Sequence, residues 1–270
     1  MTLHNMDTVP YLTFDFLDSA KGFFLAVSTR HGGVSTHAEC ASLNLGTSTG
    51  DDWNNVVQNY RLLCQSAGLD ISRLVLAKQT HSTNVRLVTE ADAGKGVLKE
   101  RDYTDTDGLI TKEKNLPLVI HTADCVPVAF IDPVHKAIGN SHCGWRGTFG
   151  ALAAKTLHAM EDSFGTRAED VLIAIGPCIC EECYEVSKEL YDQFYEKFGY
   201  GDYITTKDGR YYLNLPMINR QILIDSGVKE ENITVSDICT CCNKEDMFSH
   251  RGLGVKRGII GTFLQICEND

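Results

Sequence analysis

Residues 126–142 read VPVAFIDPVHKAIGNSH. The flanks VPVAFID (126–132) and KAIGNSH (136–142) have the β-branched and aromatic content of strands, and DPVHK between them is a hairpin-length connection. A hairpin makes these two strands antiparallel neighbours. Working outward, FFLAVST (23–29), RLVLAKQ (73–79), LPLVIHT (116–122), VLIAIG (171–176) and RGIIGTFLQI (257–266) have the same character. Several of these runs are continuously apolar, as strands buried on both faces require. Stretches 52–67, 148–164, 186–199 and 214–226 read as helices between them. In 148–164, Phe149, Leu152, Ala153, Leu157, Met160 and Phe164 follow amphipathic spacing. An antiparallel pair within a βα alternation predicts one α/β domain over residues 1–270, with mixed β-sheets flanked by helices.

A hydrophobic content of 43 % in 270 residues is enough for a sizeable core. The formal net charge of −11 argues against a nucleic-acid or anionic-membrane partner, which would need a basic face. A small anion can still be held by a few amides and one arginine. No run of 18 apolar residues predicts a membrane span. The opening MTLHNMDTVPYLTFDF has no basic segment leading into an apolar one, so a secretory signal is not expected. The eleven cysteines are then expected to be reduced, in a cytoplasmic protein, and free to act as metal ligands or nucleophiles.

Cys125 stands at the mouth of the first hairpin strand and His142 at the end of the second, so the hairpin can bring them together. Asp124 beside Cys125 would raise the thiol's pKa unless its carboxylate points away. Cys143 follows His142 and must face the other side of the strand, so the two do not serve one site. His81, in QTHSTNV (79–85), follows another strand. One cysteine and two histidines suit a borderline-soft ion and leave a fourth position open, the donor set of a catalytic zinc. Cys178, Cys180 and Cys183, with Cys239, Cys241 and Cys242, read as C-x-C-x2-C and C-x-C-C. Those spacings match no common zinc pattern, and ordinary buried or surface thiols are expected. Two glycine-bearing turns offer anion sites: RHGGVST (30–36), with Arg30 and Ser35, and GWRGT (144–148), with Arg146 before a helix.

Taken together, RHGGVS, SLNLG (42–46), QTHSTNV, DTDGLIT (105–111), TADCVPV, SHCGWRGT, AIGPCICEECYEV, DICT and FSHR (248–251) resemble, in order and over nearly the whole chain, the YfiH family of laccase-domain proteins. The resemblance implies an α/β fold related to the catalytic domain of cytotoxic necrotizing factor. It implies phosphorolysis of adenosine, inosine, guanosine and methylthioadenosine, and deamination of adenosine, with purine nucleosides and phosphate as partners. It places zinc ligands on His81, Cys125 and His142, copper being the alternative ion, and leaves His121 outside the ligand set. His250 departs from the aromatic version of FSHR. A copper cluster of the true laccase kind needs paired histidines, and the nine histidines include no H-x-H pair. Two other readings compete: a metal-free cysteine hydrolase with Cys125 as nucleophile and His142 as base, and a non-enzymatic nucleoside-binding module. For proton transfer, Asp107, Asp124 and Glu185 are the acidic candidates.

Overall fold

The computed structural model describes residues 1–4, 9–18, 20–37, 39–46 and 50–268. The 126–142 hairpin forms as read, with Val126–Asp132 antiparallel to Ala137–Cys143 and Val126 opposite Cys143. Its turn is tied by Asp132, whose carboxylate accepts from the backbone N–H groups of Val134 and His135, both at 2.9 Å. The hairpin is the centre of a six-stranded sheet ordered Ile233–Val235, Leu172–Ile175, Val126–Asp132, Ala137–Cys143, Gly108–Thr111, Val85–Leu87. Only the two outermost pairings in it are parallel. A second six-stranded sheet runs Thr2–His4, Tyr11–Thr13, Phe23–Ser28, Ile260–Ile266, Leu118–Thr122, Val75–Leu76, parallel at its last pair alone. A small antiparallel sheet of Glu185–Val186, Arg210–Leu213 and Ile204–Lys207 completes the fold.

The period-two alternation of strand side chains explains why the hairpin is apolar throughout. Val126, Val128 and Phe130 pack under helices Leu152–Phe164 and Leu215–Asp225, whereas Ala129 and Ile131 meet Leu25, Ile120 and Leu264 of the other sheet. Behind that second sheet, Ala26, Val119 and Phe263 pack against Val56, Tyr60 and Leu63 of helix Trp53–Ala67. The layers therefore run helix, sheet, sheet, helix, and both central strands are buried on two faces. Asn140 fastens the sheets together, donating from Nδ2 to the carbonyls of Leu118 (3.1 Å) and Thr262 (3.0 Å).

The helices follow their capping residues. Asp52 caps Trp53–Ala67, Ser187 caps Lys188–Phe198 and Asn214 caps Leu215–Asp225; Gly68 and Gly199 close the first two in the left-handed conformation. One expectation is corrected. The helix read over 148–164 is two pieces, Trp145–Phe149 and Leu152–Phe164, because Ala151 turns left-handed (φ 55°). Gly150 precedes the break, where a Cβ would lie 2.4 Å from Thr83 Cγ2, so the chain turns against the loop that carries His81. The break is a close-approach requirement that hydrophobic spacing does not encode.

Phe130 is fully buried between the hairpin sheet and its helices. Phe130→Ala should cost about 3–5 kcal/mol, whereas Val134→Ala, at the 62 % exposed hairpin tip, should change stability by less than about 0.5 kcal/mol. Denaturant midpoints of the two variants check this; equal effects would contradict the layer assignment.

Candidate active site

The site lies where the two large sheets meet at one end. His142 and Cys143 diverge as strand geometry requires. Cys143 is fully buried beneath the helices, while His142 shares its face with Ile138 and Asn140 and emerges between the sheets. Pairing of Val126 with Cys143 sets Cys125 beside His142. His81 arrives from the loop after Val75–Leu76. The ligand atoms of His81, Cys125 and His142 all lie within 4.8 Å of one another. Gly144 closes the cradle: a Cβ there would come to 3.0 Å from both Cys125 Sγ and His81 Cδ2.

Asp107 holds this arrangement. It is fully buried, and its Oδ1 accepts from His142 Nδ1 (2.8 Å) and the His81 backbone N–H (3.1 Å). Its Oδ2 accepts from the backbone N–H groups of Thr80 and Ser82 (both 2.9 Å) and from Ser82 Oγ (3.0 Å). The loop is thus wrapped around one carboxylate, and His81 is kept in the left-handed region (φ 65°) that few non-glycine residues adopt. Because Nδ1 of His142 serves Asp107, its Nε2 is the nitrogen left for the site, the usual carboxylate–histidine–metal relay.

The charges follow from these contacts. Burial raises the Cys125 thiol, but the charge of His142 and hydrogen bonds from His142 and His81 outweigh it and bring the thiol down to about 6. Burial also opposes a charged His142, yet the Cys125 thiolate and the Asp107 hydrogen bond hold it up at about 9. Asp107 is drawn down to about 2, its burial more than offset by His142 and the loop amides. Asp124 does not disturb the thiol as a neighbouring carboxylate could. It points away, accepting from Thr240 Oγ1 (2.7 Å) and the Arg251 backbone N–H (2.6 Å). The donor set, its spacing, the tautomer fixed by Asp107 and the glycine cradle all fit a zinc ion on His81, Cys125 and His142.

A cavity of about 330 Å³ opens on this triad, within the usual range for small-molecule sites. Its remaining wall includes Lys78, Arg101, His121 and Arg257. Burial and the charge of Arg101 hold His121 down at about 3, so it is neutral, with Tyr60 Oη on its Nε2 and Gln79 bonded to its backbone.

The chain matches the family described as multi-copper polyphenol oxidoreductase laccase over residues 24–267. It belongs to that family. It is 35 % identical over 254 residues to a purine nucleoside phosphorylase of Bacteroides thetaiotaomicron, covering 92 % of this chain and 93 % of the relative. It is 32 % identical over 248 residues to adenosine deaminase RL5 from an unknown prokaryote, covering 90 % and 94 %. The crystal structure of YlmD from Geobacillus stearothermophilus superposes with a TM-score of 0.89 at 32 % identity, over 98 % of this chain and 99 % of that one. The fold expected from the resemblance, mixed sheets flanked by helices, is the fold observed. Among the described residues, no helix is long and apolar enough to cross a membrane.

The remaining candidates are positioned differently. Arg30 lies outside the cavity wall, with Nε and Nη2 on the carbonyl of Ala41 (3.2 and 2.9 Å), Nη1 on that of Lys244 (2.6 Å) and the guanidinium over Phe248. Ser35 is buried between Asp51 Oδ2 (2.6 Å) and Asn59 Nδ2 (2.8 Å). Both residues therefore hold their glycine turn together and are not drawn to the triad. Arg146 is exposed and stacks on Trp145, outside the cavity wall. Glu185 pairs with exposed Arg210 at 3.3 Å. The cations that do reach the cavity, Lys78, Arg101 and Arg257, sit in no motif and were not singled out from sequence.

Alkylation of the metal-free protein reads out the charge balance. Only the thiolate reacts, so Cys125 modification should fall as pH drops through about 6, well below the ordinary thiol range. Zinc should suppress it, leaving other cysteines to react first. Early selective loss of Cys125 in zinc-loaded protein, followed by peptide mass spectrometry, would contradict the assignment.

Proposed function

We propose that this chain is a zinc-dependent purine nucleoside phosphorylase, acting on adenosine, inosine, guanosine and methylthioadenosine, with adenosine deaminase activity in the same site. The names of its relatives suggest the two reactions. One observation supports carrying them to this chain: Lys78, Arg101 and Arg257 line the same cavity as His81, Cys125 and His142. In a protein of net charge −11, three cations around one cavity make a local anion site.

His81, Cys125 and His142 would hold the ion, with copper as the alternative for the same donors. Bound there, zinc supplies Lewis-acid activation of water or stabilisation of developing negative charge. The phosphate roles expected of Arg30, Ser35 and Arg146 pass in this proposal to Arg101 and Arg257, which line the cavity. Arg257 lines the cavity half-buried, with Nη1 on the Val255 carbonyl (3.1 Å), and an anion in the cavity would balance its partly desolvated charge. Phosphate held by these guanidinium groups attacks C1′ of the nucleoside. The C1′–N9 bond breaks, its electron pair leaves with the purine, and protonation of the base completes the step to ribose 1-phosphate. In deamination, water adds at C6 of adenine and ammonia leaves; no second anion is needed. Neutral His121 adds no charge to the cavity wall. Asp107 acts by orienting His142, since every one of its hydrogen bonds is committed to the triad and its loop.

A second reading has an observation of its own. The Cys125 thiolate beside a charged His142 is also the resting state of a metal-free cysteine hydrolase. The two differ in what inosine yields. Base release should scale with phosphate and give ribose 1-phosphate, whereas a hydrolase gives free ribose without it. Arg257→Ala should raise the half-saturating phosphate concentration roughly ten- to a hundredfold, the loss of one charge-assisted hydrogen bond, while adenosine deamination is largely kept. Arg30→Ala should lower stability and leave the phosphate requirement alone. Equal losses of both reactions in Arg257→Ala would assign that arginine to the nucleoside, and full turnover by metal-free protein would replace this proposal with the hydrolase.

A further inference from the structure

We propose that Cys180, Cys183, Cys239 and Cys242 form a second metal site, a structural zinc held by four thiolates and separate from the His81–Cys125–His142 triad. Their sulfurs all lie within 4.8 Å of one another. Cys242 Sγ is 3.4 Å from that of Cys183 and 4.0 Å from that of Cys180. A tetrahedron with zinc–sulfur bonds of about 2.3 Å has sulfur–sulfur edges of about 3.8 Å, so the two Cys242 separations need shift by only a few tenths of an ångström, and no pair by more than about 1 Å, to close on an ion.

The spacing becomes intelligible once the right pairs are taken. Within C-x-C-x2-C and C-x-C-C lie two C-x2-C units, Cys180–Cys183 and Cys239–Cys242. Cys178 and Cys241 are the extra cysteines that obscured them. Cys178 is buried in the apolar core beneath the helices, and Cys241 stands outside the tetrad. The two units come together because segments 178 and 239 run parallel, with the Thr240 N–H on the Cys178 carbonyl at 3.0 Å. The backbone N–H groups of Cys180 (3.2 Å) and Cys242 (3.4 Å) both donate to Cys239 Sγ, an arrangement that favours a thiolate there. Four thiolates in tetrahedral array select zinc or iron; zinc is the ion that requires no redox partner.

The site has something to fasten. Asp124, the residue before Cys125, accepts from Thr240 Oγ1, and its carbonyl accepts from the Ile179 N–H at 3.0 Å. Arg251, whose N–H also reaches Asp124, donates its guanidinium to the carbonyls of Cys183 (2.8 Å) and Glu185 (3.0 Å). An ion joining the two turns would therefore clamp both to the segment that presents Cys125. The expectation of ordinary thiols is replaced by this reading.

The inference does not depend on the nucleoside reading, and its test needs no turnover. Purified wild-type protein should carry two zinc ions per chain. His81→Ala should keep one, and X-ray absorption at its zinc edge should show sulfur neighbours alone at about 2.3 Å. Cys180→Ser with Cys183→Ser should also keep one, now with mixed nitrogen and sulfur neighbours, and should melt at a lower temperature. Cys241→Ser should keep both. Should the double variant fail to fold, the His81→Ala spectrum decides alone. A nitrogen-containing shell or no zinc in folded His81→Ala, iron at the tetrad, or a Cys183–Cys242 disulfide in non-reducing peptide maps would overturn the proposal.

Discussion

The buried carboxylate of Asp107 is the constraint on which the site depends. It sits where the His81 loop, the strand Gly108–Thr111 and the end of the hairpin meet. It satisfies the amides of Thr80, His81 and Ser82 while fixing the ring of His142. A buried charge of this kind is tolerable only when it is fully hydrogen-bonded, and here those bonds are the geometry of the donor triad. Two of the three donors are thus positioned by one side chain, and the third by the register of the hairpin.

That register is in turn a consequence of layering. Strands buried on both faces cannot slip by one residue without moving every side chain to the wrong layer. Val126 opposite Cys143 is therefore enforced along the whole hairpin, from Phe130 under the helices to Ile131 between the sheets. Cys125 and His142 are neighbours because the core admits no other pairing. The same alternation sends Cys143 into the core and His142 into the cavity, giving adjacent reactive residues different fates.

Much of this was legible in the sequence, for identifiable reasons. The strands were visible because continuous apolar runs are the signature of two-sided burial. His81, Cys125 and His142 stood out because donor types and strand ends coincide. What escaped depends on long-range geometry. Arg101 and Arg257 occupy unremarkable stretches, and only the fold brings them to the cavity. Arg30 and Ser35 looked like ligand contacts because they sit in a glycine turn, yet their hydrogen-bonding capacity is spent on Ala41, Lys244, Asp51 and Asn59. The paired C-x2-C units were hidden by Cys178 and Cys241, although the spacing itself was present. The left-handed Ala151 answers to the nearby Thr83 loop, which hydrophobic spacing does not record.

Zinc affinity of Asp107→Asn, measured by chelator competition on the Cys180→Ser, Cys183→Ser background so that the triad alone is titrated, tests the role of Asp107 most directly. The amide keeps the size of the side chain but removes the charge and part of the acceptor capacity. Affinity should fall roughly ten- to a hundredfold, the usual effect of removing such a partner, with the folded structure retained by circular dichroism. Unchanged affinity in a folded variant would mean that the triad is positioned without Asp107 and would contradict the account.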